Sequence, residues 1–162
     1  MKTRRAQALQ TEPHIHLRVC SDPLYLSGVR DMVGAVARRL GFDDLGCSQI
    51  ALAVDEALCN VIRHGYESAA DRPIWISLWP EALGAEGASP GITLLIEDEA
   101  KQIEPDQIKG RELEDIRPGG LGVHIIREVM DEVEFAKRER VGMRLRLVKR
   151  IGERPAEERA GA

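Results

Sequence analysis

The spacing of apolar residues switches back and forth along the chain between the two-residue repeat of a strand and the longer repeat of a helix. Ile15, Leu17 and Val19 alternate with His16 and Arg18, which predicts a short strand over residues 14–20. Ser21-Asp22-Pro23 is a turn and a helix start. Leu26, Val29, Val33, Val36, Ala37 and Leu40 then recur at helical spacing until Gly41 stops them. Asp43 and Asp44 precede a second helix that ends near His64 and Gly65, with Ile50, Val54, Ala57, Leu58, Val61 and Ile62 on its apolar face. Residues 73–80 and 92–98 read as partner strands, and the Gly- and Ala-rich stretch between them as a hairpin loop. A third helix over about residues 122–130 buries Ile125, Ile126, Val129 and Met130, and two strands follow near 132–138 and 141–150. In the last strand Met143, Leu145 and Leu147 alternate with Arg144, Arg146 and Val148, as in a half-buried antiparallel strand with a mostly basic outer face. This order predicts an α+β fold: a two-layer α/β sandwich with a mixed, mostly antiparallel sheet and helices on one face.

Composition sets the limits of that picture. With 162 residues, 43% hydrophobic and 31% charged, the chain suits one globular domain over residues 14–150. Residues 1–13 and 151–162 are polar and read as a flexible N-terminal segment and a disordered tail. A net charge of -4 argues against direct nucleic-acid binding. No apolar run reaches the length of a membrane span, no secretory leader is evident, and the three cysteines lack metal or disulfide spacing, so a cytoplasmic protein without membrane contact is expected. Residues 99–118 are polar and poorly periodic, a long loop of the kind that carries function.

Three places carry candidate chemistry. Glu56 and Asn60 lie ~40° apart on the second helix, with Arg63 close by. That spacing serves an ordinary solvated helix face, or a cleft in which the Asn oxygen ligates Mg2+ and the Glu accepts a proton. Asp98 is in phase with Ile92, Leu94 and Ile96. It emerges on their side of the strand, either as a turn residue or as an acceptor for an exocyclic amine such as that of adenine. Gly119-Gly120-Leu121-Gly122 opens the third helix. It is either a plain turn or a place where main-chain N–H groups approach an anion. His14 and His16 read as surface residues, Cys59 as a packing residue, and Lys101, Lys109, Arg111 and Arg117 as loop charges of which one or two could close on phosphate.

Taken in order, these motifs resemble the Bergerat-fold, histidine-kinase-like ATP-binding domains, and within them the anti-sigma factor serine/threonine-protein kinases. Residues 56–66, EALCNVIRHGY, are similar to that family's N-box; residues 119–126, GGLGVHII, are similar to its second glycine box. The likeness covers about residues 14–150. One position departs: the first glycine box, Asp-x-Gly in the family, reads Asp98-Glu99-Ala100 here. The resemblance implies ATP and Mg2+ as cofactors, with Glu56 as catalytic base and Asn60 holding the metal. It implies Arg63, Asp98, Ala100, Gly119, Gly120, Leu121 and Gly122 around the nucleotide, and residues 99–118 as the lid. It also implies a STAS-domain anti-sigma factor antagonist as substrate, a sigma factor as second partner, and a homodimer. Two rivals stand beside the kinase: a module that keeps the fold and switches partners by binding alone, and a detached histidine-kinase catalytic domain.

Overall fold

Asp22 caps the first helical turn by accepting a 2.9 Å hydrogen bond from the Leu24 N–H, and the chain runs through a 3-10 turn, Pro23–Tyr25, into helix α1, Leu26–Leu40. Gly41 ends α1 with φ +98°, a left-handed conformation that glycine adopts without a side-chain clash. Asp43 caps the next helix, α2 (Asp44–Asn60), through the Gly46 N–H at 2.7 Å. The predicted strands and helices all form, within one or two residues of their expected ends. The computed structural model describes residues 12–81, 90–108 and 121–152. The strands are β1 (Ile15–Cys20), β2 (Pro73–Glu81), β3 (Gly91–Glu97), β4 (Glu132–Lys137) and β5 (Met143–Arg150), with α3 (Gly122–Val129) before β4.

The sheet order is β1-β2-β3-β5-β4. The expectation was a mixed, mostly antiparallel sheet; among the described residues all four pairings are antiparallel. Ile74, Ile76, Leu94, Ile96 and Leu147 point to one side of the sheet and are almost fully buried there. Against them pack Val33 and Ala37 of α1, Ile50, Val54 and Leu58 of α2, and Ile126 of α3. The helices thus cover one face, and β3 lies in the middle of the sheet.

Two departures concern α2. It does not stop cleanly but passes into a π-helical turn, Val61–Gly65, in which the Tyr66 N–H reaches the Val61 carbonyl at 2.8 Å. Glu67 and Ser68 follow at φ +50° and +66°, two consecutive side-chain-bearing residues in the left-handed region. Second, helix 44–65, taken with that turn, has 22 residues and is apolar enough in composition to cross a bilayer, which corrects the expectation that no run reaches that length. Its apolar stripe is the one that packs on the sheet, as expected of a core helix.

Candidate functional site

A cavity of about 410 Å³ opens between the C-terminal part of α2 with its π turn, the ends of β3, β4 and β5, and the start of α3. Ala57, Val61, Ile96, Phe135, Met143 and Leu145 give it apolar walls, and Asn60, His64, Glu67, Asp98 and Lys101 supply the polar groups. Its size and its apolar walls with a few polar groups are those of a small-ligand site.

Asp98 follows the last residue of β3 and is buried, on the side predicted from its phase with Ile96. Its Oδ1 accepts hydrogen bonds from the Ala100 N–H at 2.8 Å and the Met143 N–H at 3.1 Å. Oδ2 has no hydrogen-bond partner among the described residues. Burial raises the carboxyl pKa above its ordinary value, and those two N–H donors and the Arg138 charge offset only part of the rise. The neighbouring peptide is held from outside the cavity. The Glu99 N–H donates to the Tyr66 hydroxyl at 2.6 Å, and that hydroxyl donates to the Pro73 carbonyl at 2.6 Å. Burial pushes the Tyr66 phenol up in pKa, so it remains a donor at neutral pH.

Gly142 lies against Asp98 with φ +91°, and a Cβ there would overlap the Asp98 carbonyl. Only glycine fits that approach. Ala100, the position that departs from the family pattern, is buried and lines the cavity. A Cβ built on Gly65 would lie 3.0 Å from the Ala100 methyl, so that methyl occupies the space Gly65 leaves open.

Glu56 and Asn60 meet the start of α3. A Cβ on Gly122 would lie 2.6 Å from Glu56 Oε2 and 3.2 Å from both terminal atoms of Asn60. A carboxylate, an amide and a helix start therefore converge on one small residue, beside N–H groups that an α-helix leaves unpaired in its first turn. Asn60 and Gly122 line the cavity, and Glu56 stands next to them.

Other predicted residues lie elsewhere. Arg63 is exposed and does not line the cavity. Leu121 is exposed at the N-terminus of α3. Gly119 and Gly120, with residues 109–118 of the expected lid, lie outside the described residues. Of the lid, Ala100, Lys101, Ile103 and Ile108 line the cavity. The sequence reading missed Phe135, Met143, Gly142 and Arg138. Gly142 alone left a signal, since an isolated glycine in a strand pattern marks a close backbone approach.

Comparison with known proteins bears on this geometry. A family profile described as a histidine kinase-like ATPase domain matches residues 19–149. The chain belongs to that family. The serine-protein kinase RsbW of Listeria innocua is 28% identical over 148 residues, covering 90% of this chain and 92% of its own. The Bacillus cereus RsbW is 25% identical over 138 residues, covering 85% and 84%. Among solved structures, the RsbU and RsbW domains of a Mycobacterium tuberculosis protein align over 90% of this chain and 34% of that one, with a TM-score of 0.58 at 17% identity. That likeness shows the fold. This histidine kinase-like ATPase domain thus resembles curated serine-protein kinases over nearly its whole length, and ATP use is what the family implies.

Proposed function

We propose that the chain is a cytoplasmic anti-sigma factor with serine/threonine-protein kinase activity. It binds ATP with Mg2+ and phosphorylates a STAS-domain anti-sigma factor antagonist, and it sequesters a sigma factor as a homodimer in the unswitched state. The observation that carries this reading is the meeting of Glu56 and Asn60 at Gly122, beside a cavity that also holds Asp98.

The residues present fit a purine nucleotide and its metal. Asp98 Oδ2 suits an exocyclic amine, the apolar walls suit the ring, and the missing side chain of Gly122 lets Glu56 and Asn60 close on the start of α3, where a methyl would push them away. Asn60 would hold magnesium through its amide oxygen, a hard donor, and the start of α3 with Gly119, Gly120 and Leu121 would face phosphate. Bound magnesium supplies neutralisation of phosphate charge. The protein's own part is positioning. Asp98 fixes the ring, the α3 N–H groups orient the phosphates, and Glu56 takes the proton from the attacking serine or threonine hydroxyl. Arg63, exposed in the π turn that follows α2, would reach phosphate only from outside the cavity.

The test is a transfer assay on a STAS-type substrate with a parallel binding titration. Glu56→Ala is expected to bind ATP as the wild type does and to lose transfer by about 100-fold or more. Asn60→Ala is expected to lose magnesium-dependent binding. Wild-type transfer by Glu56→Ala overturns the base assignment. A second reading, a partner-switching module without catalysis, is favoured by the Ala100 methyl in the cavity wall. Absence of saturable ATP binding by the wild type would select it.

A further inference from the structure

Beyond the residues that face the cavity, the geometry points to Arg138 as a positioning residue for Asp98, an inference that rests on the nucleotide reading of Asp98. Arg138 follows the last residue of β4 and does not line the cavity. Its guanidinium lies 4.8 Å from the centroid of the Trp75 ring and 3.4 Å, through Nε, from Glu97 Oε1. Nη1 donates a 2.8 Å hydrogen bond to the Asp98 carbonyl. Gln102, between the cavity-lining Lys101 and Ile103, donates to the Arg138 carbonyl at 2.6 Å.

The need for such a clamp follows from where Asp98 sits. β3 ends at Glu97; the Asp98 N–H still reaches the Met143 carbonyl at 3.1 Å, but the Asp98 carbonyl has no strand partner. The peptide joining Asp98 to Glu99 is instead held at both ends, its carbonyl by Arg138 and its N–H by the Tyr66 hydroxyl. The Ala100 N–H that fixes Asp98 Oδ1 comes from the next peptide along. Rotation of the clamped peptide would carry that donor away and leave the carboxylate on the Met143 N–H alone, free to swing about that one bond. Stacking on Trp75 and the ion pair with Glu97 hold the planar fork in the one orientation that reaches the carbonyl.

A residue acting through Asp98 alone should alter recognition of the amine and little else. The experiment measures dissociation constants of the full chain for ATP and for purine riboside triphosphate, which lacks the exocyclic amine. The wild type is expected to prefer ATP by about tenfold or more. Arg138→Met keeps the aliphatic stem and removes every donor. It is expected to weaken ATP binding by about tenfold while the amine-free nucleotide changes by less than about twofold. Arg138→Lys, with charge but no planar fork, is expected to fall between the two, and decides the matter if Arg138→Met does not fold. Equal weakening of both nucleotides, or an ATP preference kept at the wild-type level in either variant, overturns the inference. A wild type that binds both nucleotides equally would overturn the role of Asp98 itself and the inference with it. Binding of neither would reject the nucleotide reading.

Discussion

Asp98 is the residue whose chemistry and stability pull in opposite directions. Its pKa is raised, chiefly by burial, so the folded protein holds this proton more tightly than the unfolded chain does. The contribution to stability is therefore complete below the ordinary carboxylate value and is lost as pH rises through the folded value. At neutral pH the ionised carboxylate costs stability. Asp98→Asn keeps an acceptor at Oδ1 for the Ala100 and Met143 N–H groups and removes the buried charge. Its Tm at pH 7 is expected to equal or exceed that of the wild type, with the difference closing as pH approaches about 4. Calorimetry across that range checks the sign, and ATP affinity should meanwhile fall by about tenfold or more. The phase of Asp98 with Ile96 was legible because alternation fixes which side a strand residue faces. Its partners were not: Met143 and Arg138 lie some forty residues away in sequence, and no local pattern encodes that meeting.

At the scale of elements, the hairpin joining β4 to β5 does more than close the sheet. It turns at Gly142, whose φ of +91° and contact with the Asp98 carbonyl exclude any side chain. Gly142→Ala is expected to lose about 2–4 kcal/mol in urea unfolding, from backbone strain and the forced displacement of Asp98. Strands and helices were readable because their periods differ and because Asp22, Asp43 and Gly41 mark helix ends. The π turn at Val61–Gly65 was not, since it is the last turn of the helix and too few residues follow it to show the shift in apolar phase. Nor was the strand order legible, with β5 inserted between β3 and β4, because it depends on contacts across the whole chain. Arg63 shows the same limit: it shares a helical face with Glu56 and Asn60 in an ideal projection, yet lies in the π turn and stays exposed.

For the molecule as a whole, the cavity is where the helix layer and the sheet part at one end, so a ligand there touches both layers. Nucleotide binding should therefore stabilise the whole domain. At a free ATP concentration of 100 Kd the expected gain is about 2.7 kcal/mol, or roughly 5–10 °C in Tm for a chain of this size. Thermal melts with and without ATP and magnesium check this, and an unchanged melting curve under saturating conditions would contradict it. The placement of Asp98 between an early helix and the last hairpin also has a consequence for biosynthesis. On the ribosome, α2, β3 and this aspartate emerge first, and Arg138, Gly142 and Met143 follow some forty residues later. The nascent polypeptide must therefore wait, this aspartate unanchored, until β4 and β5 leave the exit tunnel and zip into place.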